Sequence, residues 1–186
     1  MTDSAAADSA FADRSFTVHC LGANEAAASI EALADVLIDC VEGGASVSFM
    51  APLPRAKALD FWRGVAEGVA RNERVLLVAQ DAAGTIVGTA QLITAMPDNQ
   101  PHRADVAKML VHRQARRQGV AQQLMAAVDD AARAQGKTVL VLDTATGGDA
   151  ERLYQRAGWQ RVGVVPDYAL MPDGAMCSTT LFYKRV

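Results

Sequence analysis

Aromatic residues are scarce in this sequence. Two Trp, three Tyr and five Phe make up 5% of 186 residues. That argues against nucleic-acid recognition by base stacking, which needs an array of exposed rings. It also means that the 51% hydrophobic content must build its core mainly from Ala, Val, Leu, Ile and Met. An excess of positive charge is missing too: 18 Lys and Arg stand against 21 Asp and Glu, for a net charge of −3. Proteins that grip a phosphate backbone by bulk charge are basic, so any anion site here has to be a local patch. No apolar run approaches the roughly 18–20 residues that span a bilayer. Cys20, Cys40 and Cys177 are odd in number and widely spaced, which fits neither a disulfide framework nor a structural zinc site. They are expected to be reduced and packed. The N-terminus has neither a basic segment nor a long apolar stretch after it, so it does not read as a secretory signal. The expected location is the cytoplasm.

What is present reads as one domain, since domains commonly hold about 100–200 residues. Residues 1–14, rich in Ala, Ser and Asp, are expected to be a flexible tail, with the domain over 15–186. Phe16–Leu21 has β-type content. Asn24 is a candidate helix cap, and the apolar recurrence through Leu33, Val36, Leu37 and Val41 predicts a helix that Gly43-Gly44 ends. Ser46–Met50 is a short segment before Pro52 and Pro54. A second helix follows, with Ala58, Phe61, Trp62, Val65 and Val69 on one face; Phe61 and Trp62 are assigned to the core. Arg74–Gln80 and Thr85–Ala95 read as a hairpin across Asp81–Gly84, and Ala104–Val111 as a third strand. Gln118–Gln135 is amphipathic and stops at Gly136. Val139–Asp143 reads as a buried strand, Asp149–Ala157 as a short helix, and Trp159–Val165 and Thr179–Tyr183 as closing strands. The order β-α-α-β-β-β-α-β-α-β-β predicts an α/β protein with a mixed sheet, parallel around Val106 and Leu140.

The segment with the most chemistry is Arg116-Arg-Gln-Gly-Val-Ala121, between a strand and an amphipathic helix. A helix start leaves N–H groups unpaired and carries partial positive charge, so it attracts phosphate. Gly119 permits close backbone approach, while Arg113, Arg116 and Arg117 add charge. Neither a Walker A loop nor a GxGxxG fingerprint is present. An ordinary strand-to-helix turn with a solvated basic face is the alternative.

The stretch Val111-His-Arg-Gln-Ala-Arg-Arg-Gln-Gly-Val-Ala-Gln-Gln-Leu124 resembles the acyl-CoA signature of the GNAT N-acetyltransferases. Ala150-Glu-Arg-Leu-Tyr-Gln-Arg-Ala-Gly-Trp159 resembles that superfamily's second motif. Gly43–Met50, Arg103–Val111, Leu142-Asp-Thr144, Pro166-Asp-Tyr168 and Pro172-Asp-Gly174 look like the tabtoxin-resistance branch, whose members acetylate an amino group of a small antimetabolite. The resemblance implies a GNAT-like fold, acetyl-CoA as cosubstrate with no metal, and a small-molecule amine as partner. Neither nucleic acid nor membrane is expected to bind, and the chain is expected to be a monomer or a homodimer.

It also implies roles. Main-chain amides from Arg117 through Gln118, Gly119, Val120 and Ala121 to Gln122, together with Arg116, would hold the CoA diphosphate. Main-chain groups of Leu110 and Val111 would pair with the pantetheine arm like an added strand. The Val111 N–H would also polarise the thioester carbonyl. Tyr154 would protonate the departing thiolate. The base that takes the ammonium proton would be Asp105 or Asp143, and Asp143 could instead serve as counter-ion to the substrate ammonium. Alternation groups Asp105 with Ala107, Met109 and Val111 on one strand face, unless a bulge shifts that count. Ser46 and Ser48 are candidates for substrate contacts. Gly147 stands where relatives often carry Asn, which removes one polar contact. No histidine fits a nucleophilic triad, and His19, His102 and His112 are assigned to the surface or to turns. Protein N-terminal or lysine acetylation, a non-catalytic acyl-CoA sensor and an interaction module built on the arginines are the alternatives.

Overall fold

In a computed structural model, residues 15–186 are described; the expected tail at 1–14 lies outside them. Among the described residues, seven strands form one sheet in the order β1-β2-β3-β4-β5-β7-β6. They are β1 (Thr17–Leu21), β2 (Arg74–Gln80), β3 (Ile86–Ile93), β4 (Arg103–Val111), β5 (Val139–Ala145), β6 (Gln160–Leu170) and β7 (Met176–Arg185). Only β4 and β5 run parallel; the other neighbours are antiparallel. The expected mixed sheet is therefore present, and the element order is as expected except within the first helical segment.

The first expected helix is two: α1 (Ala23–Ala28) and α2 (Ile30–Glu42), turned at Ser29, whose N–H is shared between Glu25 O and Ala26 O. Asn24 does not cap it. The chain enters at Gly22, whose N–H donates to Glu25 Oε2 at 2.8 Å. A glutamate three residues inside a helix can reach back to its first free donor, a role that a scan for Ser, Asn or Asp caps overlooks. The remaining α-helices among the described residues are α3 (Arg55–Ala70), α4 (Val120–Ala134) and α5 (Asp149–Arg156).

Each face of the sheet carries its own core. Leu33, Leu37, Trp62, Leu76, Val78 and Leu110 pack on the α1–α3 side; Leu77, Ala79, Leu92, Leu124, Val128, Leu140 and Phe182 pack on the α4 side. Consecutive residues of β2 feed opposite cores, as expected of a strand covered on both faces. Trp62 is fully buried as expected, with Phe61 packed at its edge. Of the cysteines only Cys40 is buried; Cys20 is exposed and Cys177 half-buried, which corrects the expectation that all three pack. Cys20 sits on an edge strand that only β2 covers.

Gly88 on β3 lets α4 approach the sheet. A Cβ there would lie 3.0 Å from Leu110 O and 3.2 Å from both Leu124 Cδ1 and Val120 Cγ1. Overpacking of this kind costs about 1–3 kcal/mol, so Gly88→Val should lower the urea midpoint with little change in slope. An unchanged midpoint would mean that the contact is slack.

Candidate active site

Strands β4 and β5 pair only over Arg103–Asp105 and Val139–Val141. Beyond that they part, while β5 stays paired with β7 to Ala145. The divergence coincides with a bulge. Thr89 opposes Leu110, but Gln91 opposes Ala107, and Lys108 takes φ +50°. An extra residue in one strand bends it and sharpens its twist. The gap holds a cleft of about 720 Å³ and an adjoining groove of about 430 Å³, both lined by Arg116, Asp149 and Ala150.

The bulge overturns the alternation predicted for β4. Ala104 and Val106 pack toward α4, but past the bulge it is Met109 and Val111 that do so, and Leu110 points to the α2–α3 side. Asp105 is therefore not on the face of Met109 and Val111. It is ion-paired with Arg103 and does not line the cleft. Asp143, across the divergence on β5, does line it. Of the two candidate bases, the structure brings only Asp143 to Tyr154.

Tyr154 projects from α5 with its ring buried, 6.0 Å from Trp159 and 5.9 Å from Phe182 between centroids, and it lines the cleft. Burial raises its pKa well above the ordinary phenol value, and the nearby Asp143 charge adds to the shift. The phenol stays protonated across the physiological range.

Ser46 and Ser48 also line the cleft. Ser46 Oγ donates to Leu170 O at 3.1 Å, and Ala51 N–H donates to Pro172 O at 3.0 Å. Residues 45–51 are thereby tied to the β6–β7 hairpin across the cleft rim. Ser48 has φ +76° and accepts a hydrogen bond from Lys108 Nζ at 3.2 Å. Burial lowers the Lys108 pKa, and Asp143 partly opposes that shift. Sequence reading missed Lys108; its only signal was a charge inside the apolar run Ala107-Lys108-Met109.

The smaller groove runs along the start of α4. Gly119 caps the helix at φ +84°, and Arg117 before it has φ +60°. The first helical bond is Gln123 N–H to Gly119 O, which leaves the N–H groups of Val120, Ala121 and Gln122 without helical partners. Such successive free donors form an anion cradle. Arg117 Nη2 lies 3.2 Å from Asp149 Oδ2 at the start of α5. Arg152 and Arg156, four apart on α5, also line the groove; the sequence reading did not single them out.

Two expected contributors, Arg113 and Leu110, sit differently. Arg113 is held by Asp39, whose carboxylate also accepts from the Arg113 N–H at 2.7 Å. Burial pushes the Asp39 carboxyl up, but these hydrogen bonds and the charges of His112 and Arg113 bring it below its ordinary value. Gln118 turns its side chain back to Gln114 O at 2.8 Å. Leu110 shares the hydrogen-bonding phase of His112, whose N–H donates to Val87 O, so its main chain faces β3 and not the groove. Val111, one residue out of phase, faces the groove, and its carbonyl accepts from Arg116 Nε at 3.1 Å. Antiparallel pairing alternates which residues bond across, and only the observed register fixes that phase. Among the described residues, no group of three His, Cys, Asp or Glu is placed to hold a metal ion.

Residues 71–161, which span β2 to α5, match a sequence model described as an acetyltransferase (GNAT) domain. An uncharacterized N-acetyltransferase in the hisH-hisA intergenic region of Azospirillum brasilense is 36% identical over 113 residues, covering 60% of this chain and 65% of that protein. The match thus spans just under two thirds of the relative. The ribosomal-protein-alanine N-acetyltransferase of Brucella melitensis has a similar structure, with a TM-score of 0.77 and 20% identity over 91% of this chain and 99% of that one. A phosphinothricin acetyltransferase from Sinorhizobium meliloti, solved with acetyl-CoA, gives a TM-score of 0.75 and 16% identity over 92% and 88%. At these identities the structural likeness is one of fold.

Proposed function

We propose, from the match of residues 71–161 to an acetyltransferase (GNAT) domain, that the protein transfers an acetyl group from acetyl-CoA to the amine of a small molecule. The observation that carries this reading is the continuity of the two cavities. A cradle of free N–H groups and guanidiniums adjoins a cleft lined by both Asp143 and Tyr154. The groove suits a diphosphate: the N–H groups of Val120, Ala121 and Gln122 would hold it, with Arg117, Arg152 and Arg156 around it.

The chemistry supplied by bound acetyl-CoA is an activated acyl group, whose C–S bond breaks as the C–N bond to the acceptor forms. Asp143 accepts the proton that an ammonium must lose before its nitrogen has a lone pair. Tyr154 keeps a proton available for the departing sulfur. The Val111 N–H, turned to the groove, is a fixed donor for a carbonyl oxygen that gains charge.

The tie between residues 45–51 and the β6–β7 hairpin supports a small acceptor, because it closes one rim of the cleft. The motifs that resemble the tabtoxin-resistance enzymes point the same way, toward an amino-acid-like acceptor and self-protection by acetylation.

Acetyl-CoA at about 100 times its Kd should stabilise the protein by about 2.7 kcal/mol, which is roughly 5–10 °C in Tm for a chain of this size. Acetyl-pantetheine, which lacks the diphosphate, should give little shift. Equal shifts would remove the groove from cofactor binding. A CoA-release screen over small amines and peptides then tests the acceptor class: turnover of peptides alone would replace this reading with protein acetylation.

A further inference from the structure

Lys108 feels the charge of Asp143 but makes no ion pair with it. It sits at the β4 bulge with φ +50°, a conformation that is strained for an L-residue. Its Nζ donates to Ser48 Oγ, itself on a residue at φ +76°, and lies 5.6 Å from the centre of the Phe61 ring. Two non-glycine residues in the left-handed region thus meet on one wall of the cleft, and strain of this kind collects at ligand sites. Among the described residues, no carboxylate comes within ion-pair distance of Lys108. An ammonium has three donors, and Ser48 uses one. Asp143 acts on this partly buried charge only from beyond ion-pair distance. A buried charge that lacks a close partner is unfavourable, so the arrangement is best completed by an anion from outside the chain. Asp143, on the opposite side of the β4–β5 divergence, lines the same cleft.

We propose that Lys108 is a specificity-determining residue, which holds the carboxylate of an acceptor together with Ser48 while the acceptor amine meets Asp143. The proposal rests on the N-acetyltransferase reading and narrows it: the substrate is a small amine that also carries a carboxylate. A zwitterion matches a cleft with a cation on one wall and an anion on the other. A plain amine brings only positive charge toward Lys108, and that repulsion rejects it. The burial that lowers the Lys108 pKa strengthens its attraction for an anion as long as the ammonium stays charged.

The test uses matched triplets built on α-, β- and γ-amino acids and dipeptides: the free acid, its carboxamide, and the amine without the carboxyl group. The wild type should favour the free acid at least tenfold in kcat/KM. In Lys108→Met that ratio should collapse toward one, chiefly through KM for the acid, whereas Lys108→Arg should keep most of it. The ratio within one variant is insensitive to partial misfolding, and the wild-type comparison needs no variant. Equal use of acid and carboxamide by the wild type, or a ratio that survives in Lys108→Met, would overturn the proposal. So would acetyl-CoA stabilisation with turnover of no free acid. Neither stabilisation by acetyl-CoA nor CoA release with any amine or peptide would instead reject the N-acetyltransferase reading itself.

Discussion

Replacing Tyr154 by Phe is expected to lower kcat about 100-fold, the low end of what a positioned acid contributes, and to leave the Kd for acetyl-CoA within about twofold. The substitution keeps the ring and hence its packing against Trp159 and Phe182. What it removes is a single proton, held on the phenol by burial and by the adjacent Asp143 charge. A thiolate resembles a cysteine side chain in basicity, with a pKa of about 8.5, so it is a weaker base than the phenolate. Tyr154 therefore acts by hydrogen-bonding the sulfur as charge builds on it, with the proton following only late in the departure. The raised Tyr154 pKa sets the sign of the pH dependence: the acid form is lost only as pH rises through that elevated value, so Tyr154 should impose no alkaline limb on kcat near neutrality. A hundredfold loss corresponds to about 2.7 kcal/mol of transition-state stabilisation. Turnover within twofold of wild type would leave Tyr154 as a core residue only.

For Asp143→Asn the expected loss in kcat/KM is also about 100-fold near pH 6.5. It should narrow steadily above about pH 8, where an α-amino group, with a pKa near 7.7–8.0, is mostly neutral already. The carboxamide keeps the side-chain shape but cannot take up the ammonium proton, so the deficit follows the fraction of acceptor that arrives protonated. Initial rates at saturating acetyl-CoA over pH 6–9.5 give the comparison. A deficit confined to KM would make Asp143 the counter-ion of the substrate and not its base. A deficit in kcat that stays constant with pH would rule out the base role. Asp105→Asn should change rates little, because Asp105 is already paired with Arg103 and lies outside the cleft.

Much of the fold was legible in the sequence because its signals are local. The alternation of β2, the amphipathic run of α4 and the glycine stops each depend on a few consecutive residues. The glycine-led helix start at Arg117–Gln122 was legible for the same reason, since a helix start carries its free donors wherever it lies. The roles of Asp105, Leu110 and Lys108 were not. Alternation counts residues in twos, and the bulge opposite Thr89–Gln91 inserts one, which reverses every face after it. Nothing in Lys108-Met109 announces that insertion, because it is set by the register against β3. The pairing of Arg113 with Asp39, 74 residues earlier, was equally hidden.

The sequence by itself determined most of the elements, the order of the strands and the basic helix start at Arg116–Ala121, because these follow from short-range chain physics. Only the tertiary structure decided which carboxylate meets Tyr154, which arginines remain in the groove and that a lysine enters the cleft. Those outcomes depend on strand register and on partners far apart in the chain.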